Sequence, residues 1–466
     1  MTNNLILKAD SYKYSHFKQY PPGTEYVSSY IEARKGGEAV FFGLQAFLHS
    51  LQVPVDAYDV EEARTFLAPH GVPFNDDGWM HIVRAHNGYL PVRIQAVPEG
   101  TVVPQGVPMV QVINTDPLVP WITSFIETQL LRAIWYPTTV ATISWRCKKA
   151  IYKALIKSAD NADGEIDFKL HDFGARGTSS GESAAIGGGA HLVNFKGSDT
   201  VEALMWARDH YGADMAGFSI PAAEHSTITA WGRDGELDAY RNMLDAFPKS
   251  PLVAVVSDSY SIYHACNDIW GGVLKDKVQR LAGSNRTLVI RPDSGDPLST
   301  LIDVFDILFD RFGYVRNSRG FKVLPKYLRV IQGDGINEDS LQDILTGLMA
   351  REISISNIVF GMGGGLLQKC DRDTLSFAMK ASQVTIDGQK RDIRKEPITD
   401  SHKRSKSGRF AVVPDYLNHR KLLCVREDVN VGNILTDVFR DGAQVRREET
   451  LDSIRERVWE STKVLA

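Results

Sequence analysis

The sequence predicts an α/β protein in which a ring of parallel strands is inserted into a mixed α+β domain built from both chain ends. Three observations predict it. Seven times between residues 168 and 372 an apolar run stops at a cluster of Gly, Asp, His or Arg, and a helix-like stretch follows. Measured from Asp172 through Asp199, His225, Asp258, Asp293, Asp334 and Gly363, the steps are 27, 26, 33, 35, 41 and 29 residues, where a βα unit needs about 30. The pattern differs on both sides of this array, and hairpin chemistry appears after residue 374. These changes divide the chain into a mixed domain with antiparallel strands over 1–160 and 374–466, and a βα array over 161–373.

In the first segment, residues 40–52 and 119–158 show helical spacing, and Pro137 is expected to separate two helices in the longer stretch. Between them, YLPVRIQAV and VPMVQVI read as short strands around the turn-rich PEGTVVPQG. In the last segment, SFAMKASQVTI and QKRDIRK flank Asp387-Gly388, a strong hairpin signal. RFAVVPDY and KLLCVRE flank Leu417 to Arg420 as a second candidate hairpin.

A chain of 466 residues is too long for one ordinary core. Its 57 acidic and 53 basic side chains give a net charge of −4, so no global field points to nucleic acid. The four cysteines, Cys147, Cys266, Cys370 and Cys424, form no C-x-x-C pair, which favours a reduced, cytoplasmic protein without a zinc knuckle or disulfide framework. The polar start suggests no signal peptide, and no run approaches about 18 apolar residues, so neither secretion nor a membrane span is expected.

In a ring of parallel strands, groups at the strand ends converge, so the clusters are candidates for one site. Arg291-Pro292-Asp293-Ser294-Gly295 follows TLVI, and Gly333-Asp334-Gly335 follows LRVIQ. Carboxylates on tight turns suit sugar hydroxyls or a magnesium ion. Either alone is more simply a helix N-cap, and only their joint occurrence favours function. Gly361, Gly363, Gly364 and Gly365 precede LLQKC, and exposed amides there would make a phosphate site. The loop is no G-x-G-x-x-G, because Leu366 holds the last position, and the chain has no G-x-x-x-x-G-K-[ST]. His225, in Glu224-His225-Ser226-Thr227, suits a nucleophile or an acid or base, with metal ligation the weakest option, although a lone histidine is more often structural.

Phe173 and Arg176 share one loop and Asp199 ends the next apolar run; separately each is more often packing or a surface ion pair, but together they suit stacking, clamping and reading a flat polar heteroaromatic ring. Asp10-Ser11-Tyr12-Lys13-Tyr14-Ser15-His16 is aromatic and polar, otherwise a loose terminal strand. Arg34-Lys35 and the stretch Lys395 to Arg409, with Lys403, Arg404, Lys406 and Arg409, suit phosphate clamps or solvated charge; on sequence alone solvation is the simpler reading.

With these residues assembled, the chain resembles the nicotinamide phosphoribosyltransferase family of type II phosphoribosyltransferases. The resemblance runs from DSYKYSH and KQYPP through HDFGARG, HLVNFKGSDT, PAAEHSTITAW, SDSY, RPDSG, VIQGDG and GGGLLQK to KRSKSGR. It implies an irregular (β/α) barrel plus a mixed α+β domain, working as a homodimer with composite sites. It further implies that nicotinamide and phosphoribosyl pyrophosphate become nicotinamide mononucleotide and pyrophosphate in NAD salvage, with Mg2+ and with ATP as co-substrate.

Residue by residue, the resemblance places nicotinamide between Phe173 and Tyr12 of the other subunit, with Asp199 accepting from its carboxamide and Arg291 near the amide. It puts the ribose on Asp293, Gly333 and Asp334, and the product phosphate on Gly363 and Gly364. Arg34, Arg176, Arg372, Lys395 and Lys406 become phosphate and pyrophosphate ligands. His225 matches a phosphorylatable histidine that couples ATP hydrolysis, with Asp258 as its orienting partner; these two and Asp293 are the catalytic set. Ala175, where some relatives carry an aromatic, and Met362, inside the glycine run, depart from the family pattern and bear on pocket shape. Asp199 also argues against the nearest rival, a nicotinate phosphoribosyltransferase. A second carboxylate at roughly 4 Å costs about 4 kcal/mol at an effective dielectric near 20.

Overall fold

The computed structural model describes residues 4–399, 404–415, 421–429 and 432–465. Two compact units emerge, Met1–Thr142 with Asp371–Val458, and Ile143–Cys370 with Trp459–Ala466.

The first unit is organised by a seven-stranded sheet in which the two chain ends interleave. Its order is Gln389–Asp392, Ala378–Ile386, Thr24–Glu32, Val110–Asn114, Val92–Ala96, Thr436–Arg440 and Ala443–Gln444. Every pairing is antiparallel, with Tyr30 opposite Lys380 and Val92 opposite Asn114. Ile31, Ile94, Val110 and Val112 pack with Trp79, Ile82 and Phe125 in one core. The expected hairpin at Asp387-Gly388 is present, both residues taking positive φ. Phe410–Asp415 and Lys421–Arg426 also pair antiparallel; Leu417–Arg420, where the connection is expected, lies outside the described residues, as does Lys403.

Pro137 does not separate two helices: one helix runs from Glu127 to Ser158 with Pro137 inside it. Proline removes the amide that would bond the Ala133 carbonyl. The backbone of Gly43 approaches so closely there that an added Cβ would lie 2.9 Å from that carbonyl oxygen and 2.3 Å from the proline ring. Thr138 and Thr142 then tie the passing strand to the helix, Thr138 Oγ1 accepting from Phe42 N–H and Thr142 Oγ1 from Val40 N–H. These tertiary bonds hold residues 40–42 against the helix directly after the proline. The same helix moves the division of the chain to 142/143 instead of 160. Beyond Ile143 its side chains serve the second unit, where Ser144 meets His191 and Trp145 donates to Thr462.

The second unit holds a parallel sheet ordered Gly197–Ser198, Leu170–Asp172, Ile358–Met362, Leu328–Gln332, Thr287–Arg291 and Leu252–Val256. The segment around PAAEHST, expected to follow a strand of its own, supplies only isolated bridges. Phe218 pairs with Gly197 and Ala222 with Ala254, the two outer strands, so this irregular stretch closes the ring. Side chains alternate as strand geometry requires. Ala254, Val289 and Ile331 meet Ile220, Val359 and Phe173 in one small cluster, while the alternating Leu288, Ile290, Val330 and Ile358 are fully buried. The result is an α/β protein with an irregular parallel barrel and a mixed second domain. Among the described residues no helix is long and apolar enough to cross a membrane.

Candidate active site

The helix N-caps decide what the aspartates at the strand ends do. Helix Pro297–Phe312 is capped by Asp296, whose side chain accepts from Ser299 N–H, with Pro297 in the first turn. Helix Glu338–Ala350 is capped by Asn337 through a reciprocal box with Ser340. Asp293 and Asp334 are therefore not caps, and their carboxylates are left for other work. Asp258 is likewise spared, because Ser261 caps the helix that follows it.

Two of these freed carboxylates, Asp258 and Asp293, flank His225, the first residue of helix His225–Thr229. Its Nε2 lies 3.0 Å from Asp258 Oδ1, and its Nδ1 lies 3.9 Å from Asp293 Oδ2. Asp258 is nearly buried, its other oxygen accepting from the Ser294 hydroxyl, whereas the imidazole is 45% exposed. Arg291 grips Asp293 Oδ1 with Nε at 3.1 Å and an η nitrogen at 2.8 Å. The cluster joins an exposed imidazole to a fixed carboxylate and a second, arginine-paired one.

Phe173 follows strand Leu170–Asp172, its N–H bonded to the Met362 carbonyl at 3.0 Å. Its ring lies on glycine: a Cβ added at Gly361 would come within 2.1 Å of Phe173 Cε2, and one at Gly333 within 3.3 Å. The Arg291 guanidinium sits 5.7 Å from the ring centroid. On the paired strand end, Asp199 is exposed, its N–H bonded to the Asp172 carbonyl and its side chain accepting from the Ser219 hydroxyl. Beneath them Asp172 is buried, with Oδ1 accepting from Gly174 N–H and Oδ2 without a hydrogen-bond partner. Burial pushes this carboxyl up to about 6, against the Gly174 amide and the neighbouring Thr200 and Ser198 hydroxyls, with the Asp199 charge adding to the rise.

The glycine run divides by role. Gly361 is buried inside strand Ile358–Met362 and is not part of a loop; it makes room for Phe173. Gly365 packs against the Ile336 carbonyl. Gly363 and Gly364 alone form the turn into Gly364–Leu367, and Met362 is fully buried. Arg176 is exposed on the turn Ala175–Gly177 after Phe173.

The remaining candidates belong to the first unit. Tyr12 is 58% exposed on a 3-10 helix, Ser11–Lys18, where a loose strand was the alternative. That helix is anchored by buried Lys13, ion-paired to Glu127, and by buried Tyr14. Arg34, Arg372 and Lys395 gather around Lys380, whose ammonium is held below its ordinary range by burial and by those three cations, against the pull of Glu127. Lys406 pairs with Glu32, itself pushed up by burial against the field of Lys406, Arg34 and Lys380. Lys380 and Glu32 escaped sequence reasoning. Their proximity follows from the pairing of Thr24–Glu32 with Ala378–Ile386, which lie 354 residues apart at Ser28 and Ser382.

Comparison with known proteins fits this arrangement. The model for the nicotinate phosphoribosyltransferase (NAPRTase) family matches residues 168–443, and that for the nicotinamide phosphoribosyltransferase N-terminal domain matches residues 4–94. A nicotinamide phosphoribosyltransferase of Xanthomonas campestris is 48% identical, covering 97% of either chain. One from Acinetobacter baylyi is 32% identical over 98% of this chain and 97% of its own. In fold, the chain is similar to a nicotinate-nucleotide pyrophosphorylase from Pyrococcus furiosus (TM-score 0.62, 16% identity, 99% and 96% coverage). It is also similar to human nicotinic acid phosphoribosyltransferase (TM-score 0.58, 18% identity, 98% and 94% coverage). With a barrel of this form, these strand-end groups and relatives matched along nearly their whole length, the chain belongs to the nicotinamide phosphoribosyltransferase family of pentosyltransferases.

Proposed function

We propose that the chain joins nicotinamide to phosphoribosyl pyrophosphate, giving nicotinamide mononucleotide and pyrophosphate in NAD salvage, with ATP hydrolysis coupled through His225. The observation that carries this reading is the aromatic platform at the strand ends, Phe173 seated on Gly361, with the exposed carboxylate of Asp199 on the paired strand. A flat ring stacked on Phe173 gains about 0.5–1.5 kcal/mol for that face. Asp199 then accepts from a carboxamide N–H and repels a carboxylate. Its exposure screens that repulsion below the roughly 4 kcal/mol of a half-buried pair, but the sign is kept, which disfavours nicotinate.

The pyridine nitrogen attacks the anomeric carbon with its own lone pair as the bond to pyrophosphate breaks. No proton is lost, so no general base is needed. Asp293 and Asp334 hold the ribose hydroxyls, while Gly363 and Gly364 offer amides to its 5-phosphate and Arg176 pairs with phosphate charge. The cations gathered in the first unit, Arg34, Arg372, Lys395 and Lys406, suit pyrophosphate. The hard oxygens of Asp293 and Asp334 fit Mg2+, held chiefly by the substrate's phosphates, and such an ion supplies charge neutralisation of the leaving group.

In the coupled step an imidazole nitrogen of His225 attacks the γ-phosphorus of ATP, ADP leaves, and water later cleaves the P–N bond. With Nε2–H given to Asp258, the lone pair lies on Nδ1, and Arg291 offsets the Asp293 charge that faces it. Tyr12 of the partner subunit would close the second face of the base pocket in a homodimer with shared sites. Mixing Tyr12→Ala with Arg176→Ala subunits should then restore activity in confirmed heterodimers.

The deciding experiment measures product from nicotinamide or nicotinate with phosphoribosyl pyrophosphate and Mg2+, with and without ATP, for wild type and His225→Ala. Turnover of the amide alone, with ATP stimulation lost in the variant, is expected. Turnover of nicotinate would move the chain to the alternative substrate, and stimulation that survives the substitution would remove His225 from the coupling.

A further inference from the structure

We propose that His81, His86 and Asp116, in the first unit, form a binding site for one divalent cation of the zinc class. The three ligand atoms lie within 4.8 Å of one another. Both Nε2 atoms converge on a single oxygen, Asp116 Oδ2, at 2.7 Å from His81 and 2.6 Å from His86.

This convergence is not what a regular helix gives. His81 lies in helix Asp76–Ala85, and residues five apart on a helix point about 140° away from each other. His86 is the C-cap, with φ −118° and ψ 14°, and this departure from helical geometry brings the two rings within 5.7 Å. Asp116 is fixed just as closely. Its carbonyl accepts from Asn114 Nδ2 and its Oδ1 from Leu118 N–H, both at 2.8 Å, so Oδ2 alone is turned toward the imidazoles. A ligand carboxylate oriented through its second oxygen is the arrangement that metal sites use.

Two imidazoles and a carboxylate suit zinc and its first-row neighbours better than Mg2+ or Ca2+, which take oxygen. Tetrahedral coordination with metal–ligand bonds near 2.0–2.1 Å separates ligand atoms by roughly 3.3 Å. Binding therefore requires each nitrogen–oxygen pair to open by about 0.6 Å. The His81 and His86 side chains are 30% and 26% exposed, so water can complete the shell. A bound ion would fasten the end of helix Asp76–Ala85 to the turn after strand Val110–Asn114, a link independent of the strand-end chemistry in the second unit.

The test uses the full chain, stripped with a chelator and free of substrates, titrated with Co2+ and then Zn2+. One equivalent of Co2+ should give the visible bands of a four- or five-coordinate ion, and Zn2+ should abolish them and raise Tm. His81→Gln and His86→Gln should each weaken Zn2+ binding at least about 100-fold, and His225→Ala should leave it unchanged. Asp116→Asn, which can still accept from Leu118 N–H, serves if either histidine variant fails to fold. Absence of the Co2+ bands, binding that survives these substitutions, or binding lost with His225→Ala would each overturn the site and leave two imidazoles hydrogen-bonded to a carboxylate.

Discussion

Gly361→Ala should cripple the base platform without touching a polar group. Gly361 lies in a strand with negative φ, so alanine meets no backbone penalty there. Its Cβ, however, would sit 2.1 Å from Phe173 Cε2 and 2.2 Å from Cδ2, distances at which the ring must move. Overpacking of this kind costs about 1–3 kcal/mol, and a unit of this size loses roughly 2–4 °C of Tm per kcal/mol. If the ring gives way instead, one stacking face worth about 0.5–1.5 kcal/mol is lost, a 2- to 13-fold rise in KM for the pyridine. The clearances grade the effect: Gly333→Ala, at 3.3 Å, should be milder, and Gly363→Ala, 3.5 Å from the Phe173 carbonyl, nearly silent toward the base. Melting curves and KM for nicotinamide are to be measured for the three variants and for Phe173→Ala with Gly361→Ala, in which the clash no longer exists. Wild-type Tm and KM in Gly361→Ala, or a Tm loss undiminished in the double variant, would refute the packing argument.

Asp172 gives a pH signature. Its folded value is raised to about 6 from 3.8, so its contribution to stability is complete below about pH 4 and is lost as pH rises through 6. The full loss approaches 3 kcal/mol at about 1.36 kcal/mol per pH unit. Asp172→Asn cannot ionise, and chemical denaturation should show it gaining on wild type between pH 4 and 7; a parallel pH profile would mean that Asp172 is not the group responsible. Asp258→Asn should lower ATP-stimulated turnover about tenfold, the lower end for a hydrogen bond to a charged group because the imidazole is half exposed, while ATP-independent turnover persists. Thr138→Val removes the hydroxyl that accepts from Phe42 N–H and donates to its carbonyl, two net hydrogen bonds that should cost about 1–3 kcal/mol in a denaturant titration.

Much of the second unit was legible because its information is local. Each strand end carries its chemistry within a few residues of an apolar run, and the βα period tells the reader that these ends meet. Four of the seven clusters, those around Asp258, Asp293, Asp334 and Gly363, stand at the ends of strands of five residues. The Gly361 assignment failed for a related reason. A glycine kept small for an aromatic 188 positions earlier, at Phe173, looks in sequence like any other member of a loop. Pro137 misled because the segment that packs on the helix there, residues 40–43, is distant in sequence, and the basic cluster was hidden because Lys380 joins it only through strand pairing with the opposite chain end.

The aspartates show where reading residue types ends and structure must take over. In RPDSGDP two carboxylates stand three residues apart, and either could cap the following helix. Only the main-chain path assigns Asp296 to Ser299 N–H and leaves Asp293 to Arg291 and the imidazole of His225. The second acid is thus what makes the first available: without Asp296, the helix amides would compete for the carboxylate that faces the site. The same division recurs at QGDGIN, where Asn337 caps and Asp334 stays exposed. A strand end followed by two helix-capping residue types, one more than capping requires, is therefore a stronger sequence signal of a site than either residue alone.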